Sequence, residues 1–120
     1  MANKWYTAEI PMKLPSLNDY ILACRANRYK AANMKKDTEA EIIKHVSSLP
    51  TFDRVWINFT WIEKDARRDP DNVAFAKKFI LDALVKCGRI PDDSQKYVAG
   101  FLDNVTIGKE TKVVVDIRVI

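Results

Sequence analysis

Residues 53–88 read DRVWINFTWIEKDARRDPDNVAFAKKFILDALVKCG, and this stretch decides the fold. Val55, Ile57, Phe59 and Trp61 alternate with Asn58 and Thr60, the two-residue period of a strand with one buried face. An apolar helix is expected over 70–87, and Gly88 is well placed to terminate it. Outward from this centre, Tyr6, Ala8, Ile10, Met12 and Leu14 share a face of a strand over 4–14. The run Pro15-Ser16-Leu17-Asn18-Asp19 ends that strand. Residues 20–36 read as a short helix followed by a loop. A clearer helix opens at Asp37-Thr38, where Thr38 and Glu41 have capping-box spacing; it buries Ile42 or Ile43, Val46 and Leu49 and stops at Pro50. Strand patterns return at about 97–107 and at 111–119, where Val113, Val115, Ile117 and Val119 form one apolar face. The expected fold class is α/β (α+β): a single mixed β-sheet with helices packed on it, in the order β-α-β-α-β-β.

Composition excludes several classes. The chain has 120 residues, 48% of them hydrophobic, which suits one domain with a real core and not a disordered tail. Charges interrupt every long apolar window, so no membrane span is expected. MANKWYTAEI at the start has no apolar core of a signal peptide, and a cytoplasmic location is expected. Cys24 and Cys87 are too few for a disulfide framework or, with one histidine, for a four-ligand zinc site; they read as reduced, mostly buried thiols. The net charge of +4 permits a polyanionic partner without demanding one. His45 reads as a plain surface residue, and Trp5, Trp56 and Trp61 as sheet core.

Asp69-Pro70-Asp71 begins the central helix. A helix start accounts for part of it: Asp69 suits the N-cap, Pro70 the first helical position, and Asp71 the positive end of the helix dipole. Two carboxylates spaced two residues apart can also face one hard cation, and magnesium is usually held by one or two carboxylates with water and phosphate oxygens. A second acidic pair, Asp92-Asp93, follows the helix; it reads as part of a turn, or as a second contribution to the same site. Basic residues flank the acids: Arg67 and Arg68 before them, Lys77 and Lys78 after. On a continuous α-helix Lys78 lies within about 20° of the face of Asp71, and Lys77 about 120° away. A salt bridge from Lys78 to Asp82 is the plain alternative. Carboxylates with a neighbouring lysine on a basic protein suit metal-assisted phosphodiester hydrolysis.

RDPDN at 68–72, with Lys78, DAL at 82–84, Gly88 and Asp92-Asp93, resembles the RusA family of Holliday junction resolvases, small endonucleases of bacteria and their prophages. LPSLNDY at 14–20 is similar to that family's Pro-Ser-x-Asn segment, so the resemblance spans nearly the whole chain. It implies a RusA-like endonuclease domain over 1–120, acting as a homodimer that resolves four-way junction DNA by paired symmetrical nicks. It also implies dependence on Mg2+, with Mn2+ able to substitute. Asp69, Asp71 and Asp93 would be the metal-binding and catalytic carboxylates and Lys78 the catalytic lysine; Asp93 is preferred to Asp92 because it keeps the family's distance from DAL. One departure stands out. The family lysine follows the second aspartate by four residues, but position 75 here is phenylalanine. Alignment from DAL selects Lys78 instead.

Residues 21–36 hold Arg25, Arg28, Lys30, Lys35 and Lys36 with no acid, and Tyr29 is interleaved. They form a candidate phosphate-contacting segment, bordered at the metal site by Arg67, Arg68 and Asn72. A solvated surface is the plain alternative. Two other functions compete: a catalytically inactive junction- or duplex-binding module, and a metal-dependent nucleotide hydrolase. Only three glycines and no phosphate-cradling loop weigh against the latter. For the dimer interface, the last strand, the first strand and the tryptophans all remain candidates.

Overall fold

The structure is a computed structural model and describes residues 4–120. Four strands and four helices follow in the order β1 (Trp5–Ile10), α1 (Leu17–Ala26), α2 (Arg28–Val46), β2 (Val55–Glu63), α3 (Pro70–Ala74), α4 (Lys77–Lys86), β3 (Val98–Ile107) and β4 (Lys112–Val119). The sheet order is β1-β4-β2-β3. β4 is antiparallel to both β1 and β2, while β2 and β3 are parallel, so the sheet is mixed as expected. A parallel pair needs a crossover, and α3 with α4 supplies it.

β2 is the central element, and its alternation is fully expressed. Val55, Ile57, Phe59 and Trp61 are each at most 2% exposed. Val113, Val115 and Ile117 of β4 extend the same buried face, and Ile42, Val46, Phe79, Ile80 and Leu84 cover it from the helices. Ile42 is the buried member of its pair, and Ile43 is half-buried. Of the tryptophans, only Trp61 belongs fully to this core; Trp56 is half-buried on the opposite face of the sheet, and Trp5 is exposed.

Local chemistry differs from expectation in several places. The helical segment after β1 starts at a real capping box: Ser16 Oγ accepts from the Asp19 amide at 3.1 Å, and the Ser16 amide donates to Asp19 Oδ2 at 2.9 Å. The segment read as a loop before Asp37 is instead the first half of α2, because Asn27 both ends α1 and starts α2. Its backbone is extended at φ −176°, its amide closes on Ala23, and its side chain accepts from the Lys30 amide at 2.7 Å. Thr38 therefore lies inside a continuous helix, and its spacing to Glu41 marks no helix start. The helix expected over 70–87 is interrupted at Phe75–Ala76, where the amides of Ala76, Lys78 and Phe79 reach back three residues rather than four. Finally, neither thiol is buried: Cys24 is exposed and Cys87 half-exposed. His45 is half-buried rather than fully on the surface. Gly88 ends α4 at φ +76°, as expected.

Gly100 on β3 sits under the indole of Trp56. A Cβ there would stand 2.6 Å from Trp56 Cζ3, while Trp56 Nε1 donates to Asn58 Oδ1 at 2.8 Å. Gly100→Ala should therefore displace the indole and cost about 1–3 kcal/mol. Urea unfolding and tryptophan emission check this; an unchanged midpoint with unchanged emission would contradict the packing.

Candidate nucleic-acid and metal-binding site

The segment between β2 and α3 is shaped by Arg68. Its Nε and Nη2 donate to the two oxygens of Glu63 at 2.7 and 2.9 Å, and its Nη1 donates to the Leu14 carbonyl at 3.0 Å. Glu63 is 7% exposed at the end of β2, so this is a nearly buried, bidentate ion pair. It closes the turn 64–67 and ties it to the loop after β1. The expectation that Arg68 contacts DNA is corrected accordingly: its guanidinium points inward and is occupied. Asn72 is likewise a tie, because its Oδ1 accepts from the Asn18 amide at 2.9 Å. That bond joins the two segments that carry the resemblance, PSLN at 15–18 and DPDN at 69–72.

With the loop fixed, Asp69 and Asp71 stand exposed at the start of α3. Asp69 occupies the N-cap position, at φ −68° and ψ 150°, yet its side chain makes no capping bond. The role that a helix start offers Asp69 is therefore unused. Asp71 accepts from the Asn72 amide through Oδ1 at 2.9 Å. It borders a groove of about 570 Å³ between α3 and β3, together with Pro70, Lys77, Asp103 and Asn104.

The interruption at Phe75–Ala76 changes which lysine meets which acid. A three-residue turn advances each residue by about 120°, against about 100° in an α-helix, so the face calculation for a continuous helix does not hold. Lys77, not Lys78, shares the groove with Asp71. Its ammonium pairs with Asp103 Oδ2 and lies 4.5 Å from the centroid of Phe101. Asp103 in turn accepts from Trp61 Nε1 at 2.9 Å. The sequence alone set Lys77 off the face of Asp71 and gave no role to Asp103, which is in register with buried Phe59 and so lies on the helix-facing side of β3.

Lys78 turns toward α2. It donates to Asp82 Oδ1 at 3.1 Å and lies 3.7 Å from Asp93 Oδ2. The Asp82 hydrogen bond, with the charges of Asp82 and Asp93 outweighing partial burial, holds the Lys78 ammonium above its ordinary pKa. Lys78 is thus a cation at neutral pH rather than a base. The other oxygen of Asp82 lies 3.3 Å from Lys35 Nζ, an ion pair whose geometry falls short of a hydrogen bond. Lys35 is thereby partly neutralised. Arg25, Arg28, Lys30 and Lys36 are exposed; Arg28 lies over its neighbour Tyr29 and donates to its hydroxyl at 3.2 Å. Arg67 is exposed near Asp65, at 3.7 Å. Asp92 is exposed beside Asp93.

The site is therefore in two parts, Asp69 and Asp71 with Lys77 on the β3 side, and Asp93 with Lys78 on the α2 side. Among the described residues no three carboxylates, imidazoles or thiols stand close enough to hold one metal ion. The exposed, oxygen-only pair at 69 and 71 has the chemistry of a two-carboxylate magnesium site that relies on other oxygens to complete it; the three-carboxylate arrangement is not assembled. Neither a scan against protein-family models nor a search of curated proteins finds a match to this chain.

Removing Arg68 should leave the Glu63 carboxylate buried and unpaired. Arg68→Ala is expected to cost about 3 kcal/mol in chemical unfolding, whereas Arg67→Ala should fall within about 0.5 kcal/mol of wild type. Equal effects of the two would show that the clamp does not hold the loop.

Proposed function

We propose that this protein is a magnesium-dependent, structure-selective endodeoxyribonuclease that resolves four-way DNA junctions by paired nicks, as the resemblance to the RusA family implies. One observation carries the reading: Asp69 takes the N-cap position of α3 without capping it and is exposed beside Asp71, so both carboxylates are available to a ligand. The hydrogen bond from Asn18 to Asn72 adds support, since it joins the motif segments in space. Net charge +4 and the exposed cations of α1 and α2 suit a polyanionic substrate. The working compartment on this reading is the cytoplasm of a bacterial cell.

Asp69 and Asp71 would hold the ion, with Asp93 joining as a third carboxylate if DNA draws the two parts together. Magnesium, when bound, offsets charge on the phosphate and acidifies the attacking water. Lys77, in the groove with Asp71, stabilises negative charge that develops on the phosphate. Lys78 belongs to the catalytic set through Asp93, whose carboxylate it holds as a fixed positive charge. Arg25, Arg28, Lys30 and Lys36 contact the backbone of the DNA arms, with Lys35 released for the same purpose only if its pair with Asp82 opens.

A second reading has its own support. The pairing of Asp93 with Lys78 at 3.7 Å, which occupies that carboxylate without a metal, suits a junction- or duplex-binding module without catalysis. A gel assay on a synthetic four-way junction, with and without magnesium, separates the two. Asp69→Asn and Asp71→Asn are each expected to keep junction binding and to lower nicking about a thousandfold or more. Binding without any magnesium-dependent nicking by the wild-type protein would establish the module instead.

Two further outcomes are expected. Lys77→Ala should lower nicking at least as much as Lys78→Ala; full activity in Lys77→Ala alongside loss in Lys78→Ala would return the phosphate-facing role to Lys78. Replacing Arg25, Arg28 and Lys30 by alanine should flatten the dependence of log affinity on log salt by about one unit per lost phosphate contact. An unchanged slope would mean that these residues only face solvent.

A further inference from the structure

Helix α1 leaves one large apolar residue standing in water. Leu22 is 63% exposed, and beside it a cleft of about 430 Å³ opens between α1, α2 and the loop after β1. The walls of the cleft are aliphatic: Leu14 and Pro15 come from the loop, Ala23 from α1 and Met34 from α2. Its rim is cationic. Lys13 stands on the loop and Lys30 on α2, both exposed, and neither ammonium has an acidic partner among the described residues. The one acid in the lining, Asp19, is held in the capping box of α1, where its Oδ2 accepts from the Ser16 amide at 2.9 Å. Arg25, one turn past Leu22 on α1, adds a third exposed cation. These cations differ from Lys35, Lys77 and Lys78, whose charges are already met by Asp82 and Asp103.

We propose that this cleft docks an acidic segment of a partner protein, with an apolar side chain seated against Leu22 and Met34 and carboxylates on Lys13 and Lys30. Cations without internal partners call for an anion, and an aliphatic floor gains only from an occupant with an apolar body. Duplex DNA meets half of this demand: its phosphates reach the rim, but a stiff polyanionic rod leaves the floor wet. A single strand stacks its bases on aromatic rings, and no aromatic residue is among those that line this cleft. A fatty acid brings one carboxylate, whereas Lys13 and Lys30 stand on different elements. A peptide with acids on both sides of its apolar anchor meets both lysines at once. Met34, unbranched and adaptable, accepts either an aliphatic or an aromatic anchor. This docking goes beyond the function proposed above and does not rest on it. Arg25 and Lys30 serve both ligands, so peptide and DNA compete there, while Leu22 belongs to the peptide alone.

The probe is a fluorescein-labelled peptide, Asp-Asp-Leu-Phe-Asp-Asp, whose anisotropy is read against the full chain at low salt, without magnesium or DNA. A dissociation constant on the order of 10–100 µM is expected, weakening as salt is added. The same peptide with serine in place of its leucine and phenylalanine should bind about tenfold more weakly or worse, as should one with lysine in place of its aspartates. Lys13→Glu and Lys30→Glu should each weaken binding about tenfold, and Leu22→Asn about fivefold. Lys96→Glu, at an exposed site before β3, should change nothing. All four substitutions are at exposed positions, so melting should stay as in wild type. No binding up to about 1 mM, binding that survives both Lys13→Glu and Lys30→Glu, or equal binding of the serine peptide would each overturn the proposal. Two results would overturn it by naming another occupant. Duplex binding that falls with Leu22→Asn as far as with Lys30→Glu would give the cleft to DNA, and laurate bound more tightly than the peptide would give it to a lipid.

Discussion

The bidentate pair between Arg68 and Glu63 is the constraint on which the site depends. It anchors the turn after the central strand to that strand's own last residue, and through the Leu14 carbonyl it anchors the first loop as well. A charged pair this little exposed is a poor source of net stability, since desolvation offsets most of its attraction. Its value is in position. With Arg68 fixed, Asp69 must begin α3 at the end of β2, and Asn72 comes within reach of the Asn18 amide. The exposed carboxylates are thus held by a frame in which the adjacent polar side chains are already paired.

The helix interruption at Phe75–Ala76 divides the charges around that frame. Phe75 packs against Tyr20 and Phe79, with ring centroids at 5.5 and 5.8 Å, so the corner itself is apolar. On one side lie Asp71, Lys77 and Asp103; on the other lie Lys78, Asp82, Asp93 and Lys35. Each side neutralises much of its own charge without DNA. On the proposed function, a phosphodiester that reached Lys77 or Lys78 would have to displace their ion pairs with Asp103 and Asp82 as well as water.

The fold was legible because its signals were periodic. The alternation in β2 and β4, the change of period after Pro70 and the stop at Gly88 correspond to the observed elements, and the mixed sheet follows from them. What was missed was local. Asn27 ends one helix and starts the next with a single side chain, which no periodicity reveals. The spacing of Thr38 and Glu41 matched a cap, but the helix already begun at Asn27 runs through it, carried by Ala31, Ala32, Met34, Lys35 and Lys36. At the site, the Lys78–Asp82 pair was foreseeable from spacing alone, and Asp69 and Asp71 only as either a helix start or a pair facing one cation. The inward turn of Arg68 was not, because it depends on the burial of Glu63. Nor was the exchange of Lys77 for Lys78 beside Asp71, because Lys78 shares the face of Asp71 only on an unbroken helix, and the helix breaks at Phe75–Ala76.

The central claim is that the corner formed by Asp69 and Asp71 is a divalent-cation site. Paramagnetic broadening of backbone amide resonances by Mn2+, with the DNA-free protein, tests it most directly. The account predicts loss of signal centred on residues 69–72 and the neighbouring part of β3, reversed by excess Mg2+ and abolished by Asp69→Asn. Broadening centred elsewhere, or spread evenly over the acidic surface and indifferent to Asp69→Asn, would contradict it.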